Sequence, residues 1–245
     1  RRVERPNNRQ LNPYVDKSDS LNIQFGNPTL NPEFVNSIDL GYSKFFGKTS
    51  LTSSIFYKLT NDAINSITFL RDDGVTATTW LNIANSSSYG LELTAAHPLF
   101  DWFKLNGSAS YFYTRFEQQE IVRKDNSWIA KLSGTILFSK DFNIQINANY
   151  NSPLVTAQGN INEVFTTDFA AKKDFMDGQL SLTFRVSDVF NTRDMESETN
   201  GFNFSSTSYR KMESRVAYLG ISYRLSPGNG NKEKKPRTED GMDEF

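Results

Sequence analysis

Histidine and cysteine, the side chains most diagnostic of an enzyme or metal centre, are almost absent from this chain. It contains one histidine, His97, beside Pro98, and no cysteine. Thiolate catalysis, disulfides and Cys-ligated metals are therefore excluded. A hydroxyl nucleophile would need His97 as its base together with an acid. No nucleophile partner for His97 is evident, and no second histidine could complete a metal site. His97 reads as an interfacial residue, so no catalytic residue, metal or cofactor is assigned. Asp72-Asp73-Gly74 offers two adjacent carboxylates that could hold Ca²⁺, but the same triplet is the composition of a solvated β-turn, the reading preferred here. Lys and Arg number 27 against 28 Asp and Glu, so the net charge of −1 gives no electrostatic footprint for nucleic acid.

The elements that must position these residues are read from alternation. In Phe142-Asn143-Ile144-Gln145-Ile146-Asn147-Ala148-Asn149-Tyr150-Asn151, every second residue is apolar and the other face is entirely Asn and Gln. Only a period of two fits, which is that of a strand between an apolar and a hydrated phase. The same pattern recurs at 51–60, 105–114, 179–187 and 216–225. About nine strands of some ten residues follow, near 34–46, 49–69, 80–97, 103–116, 127–138, 142–152, 163–173, 179–190 and 209–225, with residues 1–6 ending an earlier strand. Short connections (47–48, 98–102, 139–141, 174–178) alternate with long polar ones (7–33, 70–79, 117–126, 153–162, 191–208). A bacterial outer-membrane barrel separates periplasmic turns from extracellular loops in this way, whereas a soluble β-sandwich has shorter strands and does not collect its long loops at one end. Aromatics gather near strand ends at Phe45, Phe46, Phe100, Trp102, Phe103, Trp128, Phe138, Phe142 and Tyr209, as interfacial girdles do. The fold class is all-β: an antiparallel transmembrane β-barrel, here an incomplete C-terminal segment.

In such a barrel, Lys58, Glu92, Lys131, Asp168, Lys172 and Arg185 fall on the lumen-facing register. They could contact a lumen plug or line a substrate path, or be charges that a wet lumen simply permits. Aromatics in the loops, among them Trp80, Phe165, Phe202, Phe204 and Tyr209, could grip a ligand or pack loop on loop. Residues 1–225 are read as barrel. Residues 226–245, rich in Gly, Pro and charge, are read as a disordered periplasmic tail. Arg1-Arg2-Val3-Glu4-Arg5-Pro6 lacks the apolar region of an export signal, so the targeting segment is expected to have been removed or to lie upstream.

The stretches Arg1 to Glu33, Asn82 to Leu93 and Val186 to Asn191 are three landmarks that together resemble the last part of a TonB-dependent receptor barrel. Arg1-Arg2-Val3-Glu4-Arg5-Pro6 leads to Gly26-Asn27-Pro28-Thr29-Leu30-Asn31-Pro32-Glu33, which is similar to the G-N-P-x-L-x-P-E loop closure of that family. Asn82 to Leu93 resembles the strand that carries its G-x-E element, here Gly90-Leu91-Glu92. Val186-Ser187-Asp188-Val189-Phe190-Asn191 resembles its N-L-F-(D/N) element, with Asp188 and Val189 as departures. The charged tail resembles a branch with C-terminal extensions and diverse substrates. The resemblance implies a bacterial outer-membrane receptor that imports a ligand captured by its loops. Its implied partners are lipid, an N-terminal plug, the remaining strands, a TonB-type energy transducer and an unknown small ligand, and no enzymatic activity is implied. Plugged transporters of this kind have about 22 strands. About nine strands, an odd number, would leave two edges open. The expectation is that 34–46 lacks a full-length preceding neighbour and that 209–225 is unpaired on one side. A barrel that scaffolds partner proteins is the alternative function, and an outer-membrane hydrolase is disfavoured by the isolation of His97.

Overall fold

The computed structural model describes residues 1–118, 121–201 and 203–225. The tail 226–245 and Phe202 lie outside the described residues. After β1 (Arg2–Glu4), a single helical turn α1 (Asn8–Leu11) and β2 (Asn22–Gln24) come six long strands. These are β3 (Glu33–Phe46), β4 (Thr49–Leu70), β5 (Thr76–Phe100), β6 (Phe103–Gln118), β7 (Ile121–Leu137) and β8 (Phe142–Asn151). They pair each with the next, antiparallel, in a meander. The sheet continues through β11 (Val164–Phe175), β12 (Leu180–Val186) and β15 (Ala217–Tyr223).

Register carries each face unbroken from strand to strand. Leu40, Ile55, Leu91, Tyr111 and Trp128 stand in one cross-strand row. Ile136, Ile144, Ala171, Phe184 and Leu219 form another on the same side. Directly opposed residues share a face, so one residue of slip would move all of them to the other side. The apolar face is the uncovered one: Ile38 is 72% exposed, Leu40 67%, Leu219 72% and Ile221 69%. Water would penalise such a surface, whereas hydrocarbon accepts it. Buried apolar side chains such as Ile23, Leu30, Ala77 and Val155 lie away from this face, in the segments at the end opposite the short turns.

The ends of the sheet are open. Apart from β4, β3 has among the described strands only the three-residue β1 beside it, at Val35, Phe34 and Glu33. β15 pairs with β12 alone among the described strands, and no ladder joins it to β3. Both edge expectations hold. On the short-turn side, β3 passes to β4 through Gly47-Lys48 between the paired Phe46 and Thr49. Gly47 sits at φ +58, the left-handed first position that such a two-residue turn needs and that glycine adopts without strain.

On the other side the structure corrects the sequence reading. Residues 117–126 are not a long loop: β6 and β7 stay paired out to Gln118 opposite Ile121. The 70–79 connection shrinks likewise, because β4 and β5 remain paired to Leu70 and Thr76. Charged and amide residues disguised the first extension and the threonine-rich Thr76-Ala77-Thr78-Thr79 the second, because beyond the membrane a strand need not alternate in polarity. The expected strand 209–225 is two elements. β14 (Ser205–Lys211) belongs to a separate four-stranded sheet with β13 (Asp194–Asn200), β10 (Gly159–Ile161) and β9 (Leu154–Val155), and only β15 joins the main sheet. Tyr209 therefore sits in this outer sheet, donating to Asp194 at 3.2 Å, and not in a girdle. The 7–33 segment carries β2, which pairs in parallel with β5.

Candidate functional site

The face opposite the apolar rows is built of amides, hydroxyls and scattered charge. Thr94, Ser108, Lys131, Asn149 and Thr166 form one cross-strand row. Asn106, Ser133, Asn147 and Asp168 form the next. Between them lies a concavity of about 410 Å³. Gln145 donates to Ser133 at 3.2 Å and to Asn147 at 3.1 Å, so the amides are partly cross-linked among themselves. Lys131 makes no ion pair among the described residues.

All six charged residues singled out in the sequence occupy this polar face, but the structure does not gather them into one centre. Lys131 and Asp168 share the concavity. Asp168 also faces the Arg185 guanidinium at 3.5 Å and accepts the backbone N–H of Asp188 at 2.9 Å. Lys172 pairs with Asp174 at 3.0 Å, and Ser181 donates to the same carboxylate at 2.5 Å. Glu92 accepts from Ser54 at 3.4 Å. Lys58 lies further along the sheet in a second concavity of about 320 Å³ with Arg2, Ser37 and Asp39.

The loop 26–33 is a structural clasp. Gly26 is buried, and a Cβ there would lie 2.5 Å from the Asn12 carbonyl, 2.7 Å from the Asn12 nitrogen and 2.7 Å from the Gln10 carbonyl. Its N–H donates to Asn12 and the Asn27 N–H donates to Gln10, which closes the loop on α1. The Asn27 amide donates to the Trp80 carbonyl at 3.1 Å, while its oxygen accepts from Thr29. Pro28 is the middle residue of this Asx turn, where no backbone N–H is required. Leu30 is buried, and Pro32 leads into β3. Asn82 then holds the loop to the sheet: it accepts from the Asn31 N–H at 2.8 Å and donates to the Asn31 and Asp62 carbonyls at 3.0 and 2.7 Å. Glu33 accepts the N–H of Ile64, where β4 has run past the end of β3. The bulge beside it places Asp62 at φ +56.

Asp188, noted in the sequence only as a departure, anchors the passage from β12 to the outer sheet. It is 2% exposed. One oxygen accepts from the Thr192 N–H and hydroxyl at 3.0 and 3.2 Å; the other accepts from the Arg193 N–H at 2.9 Å and the Ser214 hydroxyl at 2.5 Å. Four donors on two oxygens suit a carboxylate, which accepts on both, better than an amide. Burial pushes its pKa up, but these hydrogen bonds outweigh burial and hold it below the ordinary carboxylate value. The sequence held a sign of this anchor in the Asp itself; it held none for Gln158, which binds both backbone groups of Thr68.

The remaining chemical candidates stay apart. His97 Nδ1 lies 2.7 Å from the Thr49 hydroxyl at the short-turn end, and among the described residues no carboxylate is hydrogen-bonded to the ring. Asp73 pairs with Arg71 at 3.0 Å and accepts the Val75 N–H, completing the turn around Gly74. No cluster of three potential metal ligands occurs among the described residues. None of the described helices is long and apolar enough to cross a membrane, which says nothing of strands.

A family model described as the outer membrane protein beta-barrel family matches residues 1–223. The chain belongs to that family. Its place is therefore the bacterial outer membrane, and its exposed apolar face is the face turned to lipid. No curated protein matches the chain. Among solved structures it resembles the siderophore receptor PirA from Pseudomonas aeruginosa, at a TM-score of 0.58 and 16% identity over 89% of this chain and 37% of the receptor. It also resembles the FrpB iron transporter from Neisseria meningitidis, at 0.50 and 15% over 80% and 32%. At these identities the likeness is one of fold. The chain spans about a third of the length of either protein, in keeping with its open sheet.

Proposed function

We propose that this barrel section belongs to an energy-coupled importer, in which extracellular segments capture a small ligand and the polar face lines the passage. The observation that supports this best is the continuity of the two faces. Apolar rows turn outward across all the paired strands, while Asn, Ser, Thr and isolated charges line the other side at the same register. A barrel wide enough for such a lining needs strands besides these, and large outer-membrane transporters hold a plug in that space. The fold likeness to a siderophore receptor and an iron transporter points the same way. On this reading the partners are lipid, the N-terminal plug, the strands that complete the wall, a TonB-type transducer and a ligand of unassigned class. Lys131, Asp168, Lys58 and Glu92 are lining residues, whereas Arg185 and Lys172 serve mainly to hold Asp168 and Asp174 in place. On this reading the role is that of a conduit.

The test uses the full-length protein purified from outer membranes. Copurified small molecules are identified by mass spectrometry, and uptake of the one found is measured in cells with and without a proton-motive-force uncoupler. Uptake abolished by the uncoupler is expected. Uptake that persists unchanged would replace energy-coupled import with passive conduction. A barrel that carries no ligand and co-isolates only with proteins would instead be a scaffold.

A further inference from the structure

The outer half of β4 extends past β3, which pairs with it only as far as Asn61. Beyond that point β4 pairs with β5 on one side, and its other edge is unladdered. Two side chains occupy this edge. Glu33 takes the N–H of Ile64. Gln158 takes the N–H of Thr68 at 2.8 Å with its amide oxygen and gives its amide N–H to the Thr68 carbonyl at 3.0 Å. That pair of bonds is what a residue of a neighbouring strand would supply.

Gln158 is not near β4 in the sheet. It sits at the tip of the hairpin joining β9 to β10, closed by the Thr156 N–H on the Gly159 carbonyl. This hairpin springs from β8, and β5, β6 and β7 lie between β8 and β4 in the sheet order. The hairpin is firmly held at its base: the Ser127 hydroxyl donates to the Pro153 carbonyl and the Ser152 hydroxyl accepts the Trp128 N–H, both at 2.8 Å. It is held along one side by β13, where Gly159 packs so closely that a Cβ would fall 1.7 Å from the Glu198 carbonyl. Its contact with β4 is of another kind: the hydrogen bonds between them run through one neutral side chain.

We propose that the β9–β10 hairpin, moving as one unit with the β13 and β14 strands laddered to it, is a flap at the outer end of the barrel, and that the Gln158 side chain on the free edge of β4 at Thr68 is its latch. A joint of two neutral hydrogen bonds is strong enough to set the resting position and weak enough to open without unfolding either partner, because each such bond contributes only about fivefold to an equilibrium. The mechanical part of the inference stands on the contact itself; its use as a gate rests on the import reading above.

The test is made on full-length protein in detergent or vesicles. Ala157→Cys and Asp72→Cys are introduced as a spin-label pair within this chain, which has no cysteine of its own, in a background where any cysteine elsewhere in the protein is replaced by serine. The distance distribution should be single and narrow in the parent and gain a second, longer population in Gln158→Ala, with the closed-to-open ratio falling by roughly thirtyfold for two lost bonds. Gln158→Glu keeps the acceptor and loses the donor, so it should fall in between. Hydrogen exchange at the Thr68 amide should accelerate in Gln158→Ala while amides between β5 and β6 keep their rates, which separates unlatching from misfolding. An unchanged distribution and unchanged Thr68 exchange in Gln158→Ala would overturn the latch. A latch that behaves as expected in a protein showing no energy-coupled uptake would overturn the import reading and leave the latch standing.

Discussion

Ile146→Arg puts a charge on the apolar face, and the structure fixes how deep it lands. Ile146 is the fifth of the ten residues of β8. Ten residues rise about 33 Å, and a tilt near 40° reduces that to about 25 Å along the membrane normal, the height of the apolar band of such barrels. Ile146 therefore sits near the midplane, between Gly134 on β7 and Phe169 on β11. An arginine there should cost about 2–4 kcal/mol, a shift of roughly 30- to 900-fold in the folding equilibrium. Asn147→Arg, one residue along and on the polar face between Ser133 and Asp168, should cost less than about 1 kcal/mol. The assay is reversible urea unfolding of the full-length barrel in lipid vesicles, with Ile146→Ala as a control for lost side-chain volume. Equal costs at 146 and 147 would refute the assignment of the two faces. A larger cost at Asn147 would mean that the faces are reversed.

Gly26→Ala should lose about 1–3 kcal/mol of local stability, because its Cβ meets backbone rather than a movable side chain; faster proteolysis within 7–33 reports it. Asn82→Ala removes three hydrogen bonds at once and should loosen the same loop by about 2–3 kcal/mol, with hydrogen exchange rising at Asn31. Asp188 has a depressed pKa, so its stabilisation is complete above the unfolded value near 3.9 and disappears as pH falls through the lower folded value. The outer sheet should therefore resist acid down to about pH 4, and Asp188→Ala should remove that pH dependence, as read by exchange at Thr192 and Arg193. Trypsin added to intact cells should cut at Lys17 and spare Lys48, which lies in the opposite set of turns; early cleavage at Lys48 would reverse the orientation.

What the sequence made legible was what lipid dictates. Between an apolar and a wet phase, one residue in two must be apolar, and β3, β8 and β11 lie within two residues of where that pattern ended. Outside the membrane the constraint vanishes. The outer parts of β6 and β7 read as loop because Glu117, Arg123, Lys124 and Asp125 carry no period, although they remain in the ladder. The 209–225 segment was merged into one strand because Tyr209 resembled an aromatic at an interface, whereas it turns away at Met212 into the outer sheet. The six charged residues share one face of the sheet, because alternation along each strand and register across them decide that. Their partners were not legible, since pairing across strands depends on register: Asp168 meets Arg185 only because β11 and β12 align Ala170 with Arg185. The anchoring role of Asn82 was hidden within a family motif, since its partners Asn31 and Asp62 lie 51 and 20 residues away.

The open edges set the last constraint. In hydrocarbon each unsatisfied backbone N–H or C=O costs several kcal/mol. β15 is exposed at all seven residues and is paired only to β12, so about every second residue directs both backbone groups outward with no partner among the described strands. β3 faces the same problem from Asn36 to Phe46, because β1 covers only its first three residues. Side chains cap such groups where β4 leaves the wall, at Ile64 and Thr68, but no described side chain does so along β15. Single-residue caps suffice in water at the outer end and cannot replace a ladder in lipid. The wall must therefore be closed by strands pairing with β3 on one side and β15 on the other. A lumen enclosed by that larger ring would leave Lys131 and its amide neighbours facing whatever fills it.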